Sequence, residues 1–528
     1  MYNSTNNTTT GSESIFGMLA EWQVKCLITI TMLLISGLLY LDRPVVYPGI
    51  PLMGVGKGWF AYRQAVRKYR VNGNDMVKEY SKTNKPFQVI TNTITKIFLP
   101  AEYAEEIKGI KELSFSKSVI IDIFGGYRGF EAITAFADDS NIIQTISRLK
   151  ITTSLKYLTD EISDEASAAL QEHLGNDAQD WKEASIKPIV RNLNARLSAR
   201  VFVGPELCRN KAWLEVSASY VRQCSVAALK LQEWPRVMQW PVSFFLPECR
   251  ALRRMTCDAR RILESISSNR NKPVDPKRRG GDTILWIQEA LTKAKLSHKY
   301  SVTDFQLGLG FVAIHTTTEL LTNALLDIVT IGSELIDELR REIIQVFNGG
   351  HGNTLYNDGE VFTKERLYKL RLLDSTLKET QRLGMSRFGV MPRVATAPVT
   401  LKSGLTIPAG AYTNVLLTAH TDPSIYPSPE KFDPRRFLSL RSRPGQDRNW
   451  QMVTTSPHHL AFGYGDHACP GRFLAAAQAK IALVRLLMEY DWRLEGGRPE
   501  SLNMGGGISS ADPNAKVLFR KRKAEVLF

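Results

Sequence analysis

The chain has 528 residues, 43% of them hydrophobic, and a formal net charge of +15 with a pI near 9.4. Internal repeats and long linkers are absent, so one large domain with an appendage is the simplest division, and the hydrophobic content is ample for a buried core. The bases are scattered, with no compact basic helix carrying interleaved aromatics; this argues against nucleic acid and for a face suited to an anionic membrane or an acidic protein partner.

In chain order, residues 1–21 form a short polar tail in which Asn3, Asn6 and Asn7 each open an N-x-S/T sequon. Residues 22–41 follow as a transmembrane anchor. Its centre, Cys26 to Leu41, is uncharged and bounded by Lys25 and Asp42, and Trp22 to Val24 bring it within the length that spans a bilayer. A cleaved signal peptide is the competing reading, but no A-x-A site follows and the preceding residues are acidic. Arg43, Lys57, Arg63, Arg67, Lys68 and Arg70 lie after the span and Lys25 alone before it. The positive-inside rule therefore puts the main body in the cytosol and the tail in the lumen. Pro44, Pro48 and Pro51 make 42–56 a stiff connector.

Residues 57–110 mix helical and strand patterns, and 86–99 alternate like paired strands. From about 132 to 385 the pattern is mostly helical, broken by a loop rich in Pro, Gly and charge at 271–282. Within it, 301–328 read as one long helix opened by Ser/Thr/Asp and too apolar for a surface. Strand-like segments return at 387–416, and 519–528 form a basic, solvated end. No GxGxxG follows a strand, so the chain is mainly α with a small β portion and not a dinucleotide-binding sheet. The six cysteines (26, 208, 224, 249, 257 and 469) show no paired spacing, which fits a reducing compartment without structural disulfides.

Glu379 and Arg382 lie three apart on one helical face and can pair. Glu233/Arg236, Glu338/Arg341 and Glu495/Arg498 share that spacing, so spacing alone carries little. Only the Glu379 pair is followed by FDPRRF (432–437) and then, 90 residues after Glu379, by the cysteine of FGYGDHACPG (462–471). In that last loop Gly463 and Gly465 permit positive φ and close backbone approach, and Pro470 suits a first helical turn. Cys469 thus stands at a helix N-terminus, a setting that favours thiolate and metal ligation. An inert core cysteine is the alternative. Zinc is another, with His458, His459 and His467 nearby, but neither CxxC nor HxxxH spacing occurs.

The loop resembles the haem-binding signature FxxGx(H/R)xCxG of the cytochrome P-450 monooxygenases, and the chain after residue 45 is similar to that family in outline. The resemblance implies a triangular helical domain over 57–528 that encloses haem, preceded by one transmembrane helix. It makes Cys469 the axial ligand of the haem iron, with Phe462, Gly465 and Gly471 shaping the loop. His467 and Arg393 match the family's propionate partners. Arg148 is a third candidate, although Gln144 stands where the WxxxR pattern has Trp. Glu379, Arg382 and Arg436 match a three-way salt bridge behind the haem.

Val312 to Thr317 match (A/G)Gx(D/E)T(T/S), which implies proton delivery by Thr316, with Thr317 beside it, and a local bulge in the helix. Ala313 replaces the usual glycine and His315 the usual acid; a histidine can still relay protons near neutral pH. These departures resemble fungal enzymes that oxidise terpenoid skeletons, including ent-kaurene oxidase-like, meroterpenoid and indole-diterpene oxidases. Phe124, Phe130, Phe311, Ala313, Phe388, Val390 and Ile508 are the candidate wall of a pocket for a lipophilic substrate. The implied activity is O2-dependent oxidation at the endoplasmic-reticulum membrane, with electrons from NADPH-cytochrome P-450 reductase and cytochrome b5 as a second donor. A haem-thiolate isomerase or dehydratase needing no reductase, and a haem sensor, are the competing readings; Thr316 and Thr317 count against the isomerase.

Overall fold

A thirty-residue helix, Val302–Ile331, runs through the middle of the computed structural model, which describes residues 10–58, 60–175, 180–267, 283–348, 361–385, 387–505 and 507–526. It starts where Ser301 and Asp304 form a capping box: Ser301 Oγ accepts from the Asp304 N–H at 3.3 Å, and the Asp304 carboxylate accepts from the Ser301 N–H at 2.8 Å. It stops at Gly332, whose φ of 103° ordinary residues avoid. Phe305, Leu309, Leu321, Leu325 and Ile328 point to different sides of it and all are buried. A helix apolar on every side has to be wrapped by others. Helices Glu131–Phe136, Ile186–Phe202, Lys211–Leu231, Arg371–Leu383 and Arg472–Glu489 do this.

The small β portion is a six-stranded sheet in the order Leu52–Met53, Phe87–Ile90, Thr95–Leu99, Tyr412–Leu416, Gly389–Ala395, Leu113–Ser114. The 86–99 segment supplies an antiparallel pair, with Phe87 opposite Phe98. The register of Gly389–Ala395 against Tyr412–Leu416 shifts between Val390 and Arg393. That irregularity re-aims the side chains beyond it.

Three expectations change. Lys182–Ser185 interrupts the helical stretch as a strand, because it pairs with Lys516–Lys521, which in turn pairs with Tyr490–Arg493. The same pairing turns the start of the basic end into structure, with Phe519 and Val526 buried. The third concerns the anchor: among the described residues, no helix is long and apolar enough to cross a membrane. The segment expected to span lies in a helix, Thr10–Leu41. The connector after it is docked, since Tyr47 and Ile50 are buried and the Tyr47 N–H donates to Gln88 Oε1 at 3.0 Å. The sequons at Asn3, Asn6 and Asn7 and the loop at 271–282 lie outside the described residues.

Candidate active site

The cysteine loop is held mainly by its own backbone. The Cys469 N–H donates to Phe462 O at 2.8 Å, Ala468 N–H to Gly465 O at 3.0 Å and Gly463 N–H to Leu460 O at 2.8 Å. Gly463 and Gly465 have φ of 67° and 72°. A Cβ on Gly465 would also lie 2.8 Å from Lys108 O, so glycine is required twice over. The helix behind the loop begins at Arg472, with Gly471 as its N-cap. The Gly471 and Arg472 N–H groups hydrogen-bond the sulfur and, with the charges of Arg472 and Arg148, favour thiolate. Burial outweighs them and pushes the Cys469 thiol up, contrary to the lowering expected from a helix N-terminus alone. A bound cation would reverse that balance.

Behind the loop, Arg382 grips Glu379 with Nε to Oε2 at 2.8 Å and Nη2 to Oε1 at 2.7 Å, and Arg436 Nε reaches Oε1 at 3.0 Å. The Asp433 N–H adds a fourth donor at 3.1 Å. Glu379 and Arg382 have side chains 0% exposed, so every lone pair has to be met inside the protein. The acids of the three ExxR spacings named above pair elsewhere: Glu233 with Lys230, Glu338 with Arg435 and Glu495 with Arg493.

His420, in the TAHTDP segment, is a residue that sequence reasoning missed. Its Nε2 accepts the Leu460 N–H at 3.0 Å, so its Nδ1 carries the proton and donates to Arg382 O at 3.1 Å. Arg382 Nη1 returns a bond to His420 O at 2.6 Å. The ring therefore joins the ion-pair cluster to the first turn of the cysteine loop. Burial, the Arg382 charge and the Lys378 charge drop its pKa to about 4, keeping it neutral. The only sequence signal was position, between the ExxR helix and Arg436.

The central helix presents His315, Thr316 and Thr317 to a cavity of about 980 Å³, which Cys469, Phe462, His467 and Gly471 also line. The expected bulge is absent: Val302–Ile331 is continuous α-helix. Thr316 Oγ1 donates to Val312 O at 2.7 Å and Thr318 Oγ1 to Ile314 O, so these hydroxyls supplement the helical bonds without breaking them. Asn194 Nδ2 clamps the same turn from outside, at 2.8 Å from Ile314 O. Burial lowers the His315 pKa, aided by Lys187 and Arg387 and opposed by Glu319.

Arg393 lines the cavity with a buried guanidinium whose Nε has no partner and whose Nη1 reaches only Pro392 O. Among the described residues it has no carboxylate partner, and burial drops its pKa to about 10. Arg148 and His467 border the same region, with Arg148 Nη2 bonded to Asp466 O at 2.6 Å. A buried cation without a carboxylate partner among the described residues, sharing one cavity with two further bases and a cysteine, fits a flat, metal-bearing ligand with acidic edges. The donor set therefore fits haem.

Of the expected pocket wall, Ala313 and Val390 line this cavity. Phe124, Phe130, Phe311, Phe388 and Ile508 do not. Phe124 and Phe130 are buried in a second core, against which Phe311 packs, and Phe388 packs in a third cluster with Tyr69 and Phe87. Ile508 is half-buried in the hairpin with Ser501–Gly505. Aromatic residues in a loop serve a core as readily as a pocket, and sequence does not separate the two.

The family model described as Cytochrome P450 matches residues 140–519. Cytochrome P450 monooxygenase adrA of Penicillium rubens is 34% identical over 97% of this chain and 99% of its own. Cytochrome P450 monooxygenase pyr3 of Aspergillus fumigatus is 33% identical over 94% and 95%. Among solved structures, a retinoic acid-bound cyanobacterial CYP120A1 superposes with a TM-score of 0.63 at 20% identity, over 90% of this chain and 100% of that one, a likeness of fold.

Proposed function

The chain belongs to the cytochrome P450 family, whose monooxygenases use haem, and on that premise we propose that it oxidises a lipophilic secondary metabolite, a terpenoid, meroterpenoid or indole diterpene, at the endoplasmic-reticulum membrane. The observation that carries this reading is the buried Arg393, without a carboxylate partner among the described residues, lining one cavity with Cys469. Cys469 would ligate the iron, and Arg393, Arg148 and His467 would take the propionates. Bound haem supplies dioxygen activation, which electron donation from a thiolate ligand favours.

Proton supply falls to the central helix. Thr316 spends its own proton on Val312 O, which leaves the lone pairs of Oγ1 turned to the cavity to accept another. His315, next in sequence and with its pKa lowered by desolvation, has a ring nitrogen with which to take up and return a proton. Thr317 and Ala313 keep the neighbouring wall small. The mostly apolar lining excludes water and suits a substrate drawn from lipid. Electrons would come from NADPH-cytochrome P-450 reductase, with cytochrome b5 as a second donor, and the helix Thr10–Leu41 would hold the domain at the membrane.

Microsomes carrying the protein and the reductase, fed a panel of diterpenoid and meroterpenoid precursors, should form hydroxylated products only with NADPH. Product without reductase would point to an isomerase. Haem-loaded protein with no product across the panel would set the terpenoid assignment aside.

A further inference from the structure

Arg393, Arg148 and His467 gather at the cysteine loop, where haem propionates would absorb their charge. Arg387 lines the same cavity but belongs to a different neighbourhood. His467 lies in the field of Arg393 and Arg148, whereas Arg387 acts on His315, Asp122 and Lys96. Its side chain is 49% exposed and makes no hydrogen bond to the described residues; the nearest carboxylate oxygen, Asp122 Oδ2, is 3.9 Å away.

Asp122 is already committed. Its Oδ1 accepts from Lys96 Nζ at 2.6 Å and its Oδ2 from the Tyr412 hydroxyl at 2.6 Å. Lys96 and Arg387 are thus two cations around one anion, and of the three it is Arg387 that lines the cavity. The acids on the cavity wall do not neutralise it: Glu319 is held by Lys187, Ser510 Oγ and the Ala511 N–H, and Asp466 sits in the cysteine loop. Asn414, on the strand beside Gly389–Ala395, also lines the cavity, and its amide makes no hydrogen bond to the described residues.

A cation without a full partner, in a cavity otherwise mostly apolar, is stabilised when a ligand brings the missing anion, and a guanidinium matches a carboxylate with two parallel hydrogen bonds. We infer that Arg387, with Asn414 as a second donor, is a substrate subsite for a carboxylate, so the substrate is a lipophilic carboxylic acid. This rests on the monooxygenase reading and narrows it. The charge end of the substrate would lie toward His315 and Asp122, away from the propionates, with the carbon skeleton along the apolar lining.

The test is a pair of probes differing only in charge, abietic acid and its methyl ester, titrated into haem-loaded protein at pH 7.5 while the Soret spin-state shift is followed and free probe is measured by equilibrium dialysis. Wild type should bind the acid about tenfold or more tighter than the ester. Arg387→Gln should bring the ratio near one, and Arg387→Lys should restore part of it. Equal binding of acid and ester by wild type, an unchanged preference in Arg387→Gln, or binding of neither probe would overturn the subsite. A thiolate-type reduced-CO band in Arg387→Gln shows that fold and haem are intact. Loss of that band in wild type would instead strike the monooxygenase reading, with the dialysis ratio still reporting on Arg387.

Discussion

His420 shows how one side chain can couple two parts of the site. It has to be neutral, since a second ring proton would face the Leu460 N–H with donor against donor. Its folded-state pKa of about 4 lies below the ordinary 6.5. Above about pH 6.5 both folded and unfolded forms are neutral and the full stability is present. Below that, the unfolded chain takes up a proton the fold refuses, and roughly 3 kcal/mol is lost by about pH 4. His459, stacked on it at 5.0 Å and pushed well down by burial, acts in the same direction. Thermal melts from pH 7 to 4.5 should therefore fall less steeply for His420→Gln than for wild type; parallel slopes would rule His420 out as the acid-sensitive group.

At the scale of elements, the ExxR helix is fixed to the segment after the sheet by a carboxylate between two guanidiniums. Removing Arg436 leaves Glu379 short of a partner in a dry setting, and Arg436→Ala should cost about 3–5 kcal/mol and lower haem retention on a desalting column. Haem retention and melting temperature equal to wild type would show that the third member contributes nothing. This cluster was legible in sequence because the order and spacing of motifs, ExxR then FDPRRF then the cysteine loop, selects one of five identical spacings. The loop was legible for a steric reason: few sequences need two positive-φ glycines ahead of a cysteine. The pocket wall was not. Phe124 and Phe130 carry no mark that separates a core aromatic from a lining one, and Arg387 becomes informative only when Asp122 is seen committed to Lys96 and Tyr412. The bulge was misjudged because hydroxyls that compete for carbonyls can also share them, as Thr316 does with Val312.

For the whole molecule, Asp42, just past the N-terminal helix, ties the chain to the domain: its Oδ1 accepts the Arg236 N–H at 2.9 Å. Beyond it Trp234, Trp240 and Phe245 stand exposed, an apolar surface next to the exit of the helix. Full-length protein should stay with membranes through carbonate extraction, and a chain starting at Asp42 should be released by it while still loosely adsorbing at low salt. Equal release of both would deny the helix any anchoring role. If, as proposed, the substrate arrives from lipid, it would enter a cavity that the central helix shares with the Cys469 loop.

The reduced, CO-bound absorption spectrum tests that dependence most directly. Wild type should give the red-shifted Soret band of a thiolate-ligated haem, and Cys469→Ala should bind little haem and give none of it. A wild-type band at the histidine-ligated position, or a thiolate band that survives in Cys469→Ala, would contradict the assignment of the sulfur at 469 to the iron.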